Sequence, residues 1–199
     1  MTATLFLVRH AAHDNVGGFL AGRKPGVHLG KDGLAQAERL GQRMARERFE
    51  TVIASPRERT QETAAAIAKA QGGMAVQTEA ALDEVDFGAW SGSTWDVLNK
   101  LPEWRHWNDQ RSMAATPNGE TMLDVQRRVM SVIRPLVLAE KDSRTVLVTH
   151  ADVVKSVLSV VLGLPVDGWT KLEISPASIS TIVLGTWGGK VLSINETIA

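Results

Sequence analysis

Short apolar runs alternate with stretches of helical periodicity along most of the chain. Strands are predicted for the runs at 4–8, 51–54, 75–78, 144–149, 178–184 and 190–194, the last two as a hairpin. Helices are predicted where apolar residues recur every three or four positions, at 34–48, 55–70, 122–136 and 153–162. This alternation predicts an α/β fold, a three-layer helix-sheet-helix sandwich around a mostly parallel sheet with an antiparallel edge strand.

Boundary residues refine two of these helices. Ser55 and Glu58 form a capping-box pattern with Pro56 at the first helical position, which predicts the start of the second helix. Because capping explains Ser55 and Glu58 structurally, neither is assigned to a functional site. Arg57 falls on another face of that helix and is predicted to be a surface charge. Pro135 predicts a kink or a break in the third helix.

The stretch 88–119 interrupts the alternation. It carries short helical signals and four of the six tryptophans: Trp90, Trp95, Trp104 and Trp107. Long excursions of this kind often form a lid or a substrate wall, so we expect one domain over 1–199 with such an insert. Packing of the tryptophans into a small satellite core is favoured over their stacking against substrate.

Composition limits the classes of function. The 199 residues suffice for a full core, 44% of them are hydrophobic, and no apolar run reaches membrane-spanning length. Lys and Arg together number 22, as do Asp and Glu, so charge gives no support for nucleic acid or a membrane surface as partner. The first residues lack the basic and apolar regions of a signal peptide, and we expect a cytoplasmic protein.

The chain contains no cysteine. Disulfides, thiolate metal sites and a cysteine nucleophile are therefore excluded. The glycine-rich signatures of a Walker phosphate loop and of a dinucleotide-binding turn are also missing, so ATP- or NAD-dependent chemistry has no anchor in the sequence.

Basic side chains stand where two of the predicted strands end. Arg9 and His10 close the first strand, and His150 closes the strand at 144–149. Because the carboxyl ends of parallel strands open into the crevice where α/β sheets bind ligands, we expect these side chains to meet. Histidines, arginines and a carboxylate together can take a phosphoryl group, since a guanidinium stays charged and offers paired donors to phosphate.

Four ordered motifs are distributed over most of the chain. They are Leu-Val-Arg-His at 7–10, Ser-Pro-x-x-Arg-x-x-x-Thr-Ala at 55–64, Leu-x-Glu-x-x-Phe-Gly-x-Trp-x-Gly at 82–92, and Val-Thr-His at 148–150. With these motifs the chain resembles the histidine phosphatase superfamily, the phosphoglycerate-mutase-like clan. The resemblance implies that clan's fold and a phosphatase that needs no cofactor and no metal.

The resemblance also implies roles for five residues. His10 would attack phosphorus and form a phosphohistidine. Arg9, Arg59 and His150 would clamp the phosphoryl oxygens, His150 as a protonated donor. Glu84 would protonate the leaving group and then activate water, which requires a pKa above that of a free glutamate. The expected partner is a small phosphorylated substrate.

Three more positions are substrate-binding candidates by the same resemblance. Gly22 falls where a loop glycine commonly approaches the phosphate, and Asn15 follows His10 by five residues where the family asparagine follows by six. Ala151 stands after the second histidine. Family members usually carry glycine there and at Ala11, so any backbone torsion that only glycine tolerates is in doubt.

Rival assignments stay open for the acid and for His13. Asp83 and Asp86 compete with Glu84, although the surrounding motif favours Glu84. His13 follows His10 by three residues, but its predicted loop has no carboxylate-rich partner segment, so no metal site is expected. His28 and His106 are predicted to face solvent.

Two alternatives to a phosphatase are a phosphoglycerate mutase and a non-catalytic phosphate-binding module. Mutases of this clan usually carry an insert with basic residues for the substrate carboxylate, whereas this insert offers only the separated Lys100, Arg105 and Arg111. Hydrolysis is therefore favoured over transfer. A homodimer formed through the C-terminal edge strands stays open.

Overall fold

A six-stranded sheet forms the centre of the computed structural model, which describes residues 1–14, 17–139 and 141–198. Its strands are β1 (Thr2–Arg9), β2 (Thr51–Ala54), β3 (Val76–Thr78), β4 (Ser143–Thr149), β5 (Ile179–Gly185) and β6 (Gly188–Glu196). They lie in the order β3-β2-β4-β1-β5-β6. The first four strands are parallel, while β5 pairs antiparallel with both β1 and β6. The predicted mostly parallel sheet with an antiparallel edge is confirmed.

Helices cover both faces of the sheet. They are α1 (Lys31–Met44), α2 (Glu58–Ala70), α3 (Trp95–Leu98), α4 (Pro102–Asp109), α5 (Met122–Leu138) and α6 (Ala151–Leu162). Short 3-10 turns lie at Ala80–Leu82, Gly88–Trp90 and Val166–Lys171. Across the described ranges, none of these helices has the length and apolar character needed to cross a bilayer.

Alternation along β1 divides the core into two layers. Phe6 and Val8 pack with Leu40 of α1 on one face of the sheet. Leu5 and Leu7 point to the other face, where α5 and α6 lie. Successive side chains of a strand point to opposite faces, so a fully apolar strand is what a sheet covered on both sides requires.

The start of α2 differs from the capping-box prediction. Arg57 is the N-cap, no side chain caps the helix, and Glu58 is its first residue. The Glu58 carboxylate instead accepts a hydrogen bond from the Gly26 amide at 2.9 Å. Ser55 remains at the end of β2, with its hydroxyl turned toward His150. The prediction was wrong because tertiary partners outcompete the local cap for both side chains.

Helix α1 also packs differently from its apolar pattern. Leu34 is 55% exposed although it belongs to the predicted stripe. The buried position is Gly33, where an added Cβ would come within 1.7 Å of the Ala12 carbonyl oxygen. The helix thus rests on the loop after β1 through a glycine, which leaves Leu34 facing outward.

Helix α5 is continuous through its proline. A capping box forms at its start, where the Thr121 side chain bonds the Asp124 amide and the Asp124 side chain bonds the Thr121 amide. The helix then runs past Pro135 to Leu138, so the predicted break does not occur.

The insert's tryptophans belong to the main core. Trp90, Trp104 and Trp107 are buried in the same cluster as Val129 of α5 and Leu158 of α6. The predicted packing role is therefore right for these three, but the expectation of a separate satellite core is wrong, because the cluster is continuous with the core on that face of the sheet.

Candidate active site

The two histidines of the sequence motifs lie side by side at the carboxyl ends of adjacent strands. Residue Arg9 of β1 is opposite Thr149 of β4, and the residue after each is the histidine. The ring centroids of His10 and His150 are 5.2 Å apart, and both rings are buried. The parallel pairing of two distant segments thus brings together the residues that the sequence placed at strand ends.

Hydrogen bonds fix the state of the His10 ring. Nδ1 lies 2.7 Å from the Ala11 carbonyl oxygen, which can only accept, so Nδ1 carries the proton. Nε2 accepts from Nε of Arg59 at 3.2 Å and therefore holds a lone pair. Burial, followed by the charge of Arg59, lowers the His10 pKa well below its ordinary value. The imidazole is neutral and oriented at physiological pH.

Arg59 and Arg9 supply the cations around that ring. Besides contacting His10, the Arg59 guanidinium donates to the Gly22 carbonyl at 2.8 Å. Arg9 donates through Nη1 to the Ile174 carbonyl at 2.6 Å. Nη1 of Arg59 and Nε of Arg9 are buried and have no partner among the described residues. Buried donors of this kind fit the oxygens of a phosphoryl group.

His150 is a neutral donor in this site. Nδ1 is 3.1 Å from Nη2 of Arg59, which can only donate, so the proton of the neutral ring is on Nε2, 2.9 Å from the Ser55 hydroxyl. Burial, then Arg59 and His10, lower the His150 pKa well below its ordinary value. The expected protonated donor is therefore not the state of the free site, because a buried imidazolium beside a guanidinium is unfavourable.

Glu84 faces the same centre. Its Oε2 is 3.7 Å from Nδ1 of His150, and its Oε1 accepts from the Val85 amide at 2.9 Å. Burial, then the charge of Asp152, raise the Glu84 pKa to about 7. A carboxyl group with this pKa exists in both protonation states near neutral pH, as a general acid and base requires.

The two rival acids are engaged elsewhere. Asp83 is buried and lies 3.0 Å from Nη2 of Arg57, while Asp86 pairs with Arg23 at 3.5 Å. Neither lines the pocket that contains Glu84. The Arg57 prediction was wrong as well: this side chain pairs with Asp83 and donates to the Arg23 carbonyl, because the late start of α2 turns it inward.

Ser55 is a site residue that the sequence analysis missed. Its hydroxyl donates to Asp83 at 3.3 Å and accepts from His150, so it links the two. Like His10 and His150, Ser55 is a polar residue directly after the carboxyl end of a parallel strand, in this case β2. This position could have identified it, but the capping-box pattern offered a structural explanation for the serine instead.

These residues surround a cavity of about 190 Å³. Its lining is formed by Arg9, His10, His13, Gly17, Phe19, Leu20, Ala21, Gly22, Arg59, Glu84, Phe87, Trp95, Ala151 and Asp152. The cavity lining therefore includes the candidates Gly22 and Ala151 as well as the catalytic candidates, apart from His150, whose Nδ1 is 3.1 Å from Nη2 of Arg59. Asn15 lies outside the described residues.

The alanines in place of the family glycines are compatible with the backbone. Neither Ala11 nor Ala151 has a positive φ. Ala11 donates its amide to the Thr63 hydroxyl at 3.0 Å, and Ala151 begins α6. Gly22, in contrast, has a φ of 51°, a conformation that favours glycine.

The other histidines have distinct surroundings. His13 lies in the cavity wall, with its ring centroid 6.2 Å from that of His10. His28 and His106 are exposed, as predicted. Among the described residues, no group of three or more His, Cys, Asp or Glu could hold a metal ion.

Comparison with known proteins identifies the class. The family model of the histidine phosphatase superfamily (branch 1) matches residues 5–197. The chain therefore belongs to this superfamily, as the motifs indicated, and the family match together with phosphatase relatives supports a phosphoric monoester hydrolase.

Among its relatives, phosphoserine phosphatase 1 of Hydrogenobacter thermophilus is 29% identical over 197 residues, which cover 97% of this chain and 92% of that protein. The probable phosphoglycerate mutase GpmB of Yersinia pestis is 30% identical over 154 residues, 75% of this chain and 70% of that protein.

Solved structures share the fold. A mycobacterial glucosyl-3-phosphoglycerate phosphatase superposes with a TM-score of 0.87 at 23% identity, covering 99% of this chain and 100% of its own. The alpha-ribazole phosphatase of Shigella flexneri gives a TM-score of 0.85 at 24% identity, covering 98% of both chains.

Proposed function

We propose that this chain is a phosphomonoesterase that hydrolyses a small phosphate ester through a phosphohistidine on His10. The observation that carries the proposal is the state of that ring. Its Nδ1–H is held by the Ala11 carbonyl, and its Nε2 lone pair points at Arg59 in the cavity. A neutral, oriented imidazole beside fixed cations is suited to attack on phosphorus.

In the first step, Nε2 of His10 bonds to phosphorus as the bond from phosphorus to the leaving oxygen breaks. Arg9 and Arg59 stabilise the charge on the equatorial oxygens with their buried donors. Glu84, protonated in part because its pKa is about 7, gives its proton to the leaving oxygen.

In the second step, water replaces the alcohol. Glu84, now ionised, takes a proton from the water while the water oxygen bonds to phosphorus. The bond between phosphorus and Nε2 of His10 breaks at the same time. Inorganic phosphate leaves, and His10 and Glu84 return to their starting states. A phosphoryl anion bound at His10, whose ring centroid is 5.2 Å from that of His150, would raise the His150 pKa. His150 would then take up a proton from solvent when substrate binds and become the protonated donor that the resemblance implies.

The segment 88–119 forms one wall of the substrate site in this proposal. Trp95 lines the cavity, and Arg111 contacts Asp152 of the cavity at 3.0 Å. The segment therefore combines core packing with a contribution to the pocket.

Phosphoglycerate mutase-type transfer is the second candidate, since one group of relatives is named for it. A mutase must hold the carboxylate of its substrate. Of the insert's three cations, Lys100 and Arg105 are exposed and outside the cavity lining, and Arg111 is buried against Asp152. These placements favour hydrolysis.

Substitution of His10 tests the proposal. We expect His10→Ala to abolish hydrolysis of p-nitrophenyl phosphate and acid-labile labelling by phosphate while the circular dichroism spectrum stays unchanged, because the substitution removes the Nε2 that attacks phosphorus. The exposed His106→Ala is the matched control and should keep full activity.

Three results would contradict it. Unchanged turnover in His10→Ala would remove His10 as the nucleophile. Isomerisation of 3-phosphoglycerate without release of phosphate would identify a mutase. Phosphate binding by the unaltered chain without turnover of any ester would indicate a non-catalytic module.

A further inference from the structure

The cavity lining extends beyond the residues of the phosphoryl clamp, His10, Arg9 and Arg59, and we call the remaining lining the outer part. It includes the aromatic residues Phe19, Phe87 and Trp95 and the acidic residue Asp152. If the phosphoryl group lies against His10, Arg9 and Arg59, the leaving group must occupy this outer part.

Asp152 is held in place by an ion pair with Arg111. Nη1 of Arg111 lies 3.0 Å from its Oδ1, and the Arg111 side chain is only 3% exposed. That guanidinium lies 3.6 Å from the Trp169 ring centroid and 5.3 Å from that of Trp107, so its position is fixed by two aromatic faces. Apart from this ion pair, no hydrogen bond among the described residues ends on Asp152, whose side chain is 16% exposed.

Outside the phosphoryl clamp, the charged groups among the described lining residues are acidic. Two cations that do not line the cavity, Arg111 and Lys155, interact with Asp152 and offset part of its charge. Arg9 and Arg59 belong to the phosphoryl clamp, and burial lowers the pKa of His13, so that its ring adds no charge at neutral pH. Lys24 lies 5.8 Å from the Phe19 ring centroid but does not line the cavity. Asp152 and Glu84 are the acidic groups of the lining, and Glu84 serves the chemistry.

We propose that Asp152, buttressed by Arg111, makes the outer part a subsite for a leaving group that carries an ammonium. The substrate class is then a phosphate ester of an amino alcohol. A carboxylate attracts the cation, and aromatic walls suit it further, whereas a carboxylate on the leaving group would meet Asp152 at close range. This inference rests on the proposed function, because it assumes that the phosphoryl group occupies the clamp.

Equilibrium binding tests the subsite apart from catalysis. Calorimetry on His10→Ala compares O-phosphoethanolamine with phosphoglycolate, two esters of similar size that differ in an ammonium against a carboxylate. We expect phosphoethanolamine to bind at least about tenfold more tightly, the range of a modest charge-pair preference. Asp152→Asn in the same background should reduce the ratio to within about twofold, chiefly by strengthening phosphoglycolate binding.

Asp96→Asn is the matched control. It removes the same charge from an exposed residue next to Trp95 that does not line the cavity, and it should leave the ratio unchanged. An equal change in both variants would show that the effect is one of net charge and would overturn the subsite.

The outcomes separate the subsite from the proposed function. Equal or reversed affinities in the His10→Ala parent would overturn the subsite even if Asp152→Asn failed to fold. Inorganic phosphate would still bind in that case, and the phosphatase proposal would stand. Absence of binding by inorganic phosphate as well would overturn both.

Discussion

At the scale of single residues, burial sets the protonation states on which the chemistry depends. Desolvation is the largest cause of the lowered pKa values of His10 and His150 and of the raised pKa of Glu84. His10 is therefore neutral near pH 7, as a nucleophile requires, and Glu84 is partly protonated, as an acid requires. His150 is neutral in the free site.

Glu84→Gln is expected to slow turnover of alkyl phosphates much more than that of p-nitrophenyl phosphate, because a good leaving group needs no proton. In the unaltered protein kcat/KM for an alkyl phosphate should fall as pH rises through about 7, where Glu84 loses its proton. The variant should lack this fall, and comparing the two profiles cancels the ionisation of the substrate itself. Equal losses for both esters would contradict the acid assignment.

The same substitution should stabilise the fold at high pH. The Glu84 pKa is raised on folding, from an ordinary 4.5 to about 7, so the unfolded chain binds fewer protons between these values and stability falls as pH rises through them. Glu84→Gln removes this penalty. Urea unfolding should show a gain of up to roughly 3 kcal/mol at about pH 8 and little change at about pH 4.

At the scale of elements, α5 fixes the loop that carries Glu84. Arg128 of α5 donates to the Ala81 carbonyl at 2.8 Å and to the Glu84 carbonyl at 3.0 Å. Glu120, just before α5, accepts from Arg128 at 2.8 Å and from Arg23 at 2.9 Å. Arg23 in turn donates to the Glu84 carbonyl at 2.8 Å, so two arginines hold one peptide oxygen.

Arg128→Lys should therefore misplace the acid without removing it. A lysine cannot donate at once to the Ala81 carbonyl, the Glu84 carbonyl and the Glu120 carboxylate as the guanidinium does. We therefore expect kcat for alkyl phosphates to fall on the order of tenfold, with a smaller loss for p-nitrophenyl phosphate. Arg127→Lys changes the adjacent, largely exposed arginine and should have no effect. A loss that is the same for both esters would indicate a general structural effect instead of a positioning effect on Glu84.

At the scale of the whole molecule, the insert is tied both to the core and to the pocket. Trp107 is fully buried in the cluster shared with α5 and α6, and its ring also contacts Arg111, which holds Asp152. Core stability and the shape of the outer cavity thus depend on the same side chain.

Trp107→Ala is expected to reduce the free energy of unfolding by about 3–5 kcal/mol, since it leaves a large cavity in the core. Trp187→Ala, at a residue 59% exposed in the turn between β5 and β6, should change it by less than about 0.5 kcal/mol. Thermal unfolding of the two variants distinguishes them. A loss for Trp107→Ala as small as that for Trp187→Ala would mean that the insert is not an integral part of the core.

Much of the fold followed from local pattern. The strands and the helices on both faces were predicted because apolar runs and 3.6-residue periodicity report burial directly. The start of α2 and the inward turn of Arg57 were not, since Ser55 and Glu58 bond to distant partners in place of the local cap. Leu34 was misplaced for a similar reason, because close approach to Ala12 selects Gly33 as the contact.

The amino-acid sequence alone determined the fold class and placed Arg9, His10 and His150 at strand ends, because burial periodicity and strand termination are local properties of the chain. The tertiary structure alone decided the ring tautomers, the neutral state of His150, and the inclusion of Ser55, His13 and Asp152 in or beside the cavity. Proton positions and pKa values depend on the burial and charge that segments far apart in sequence impose on one another when they pack.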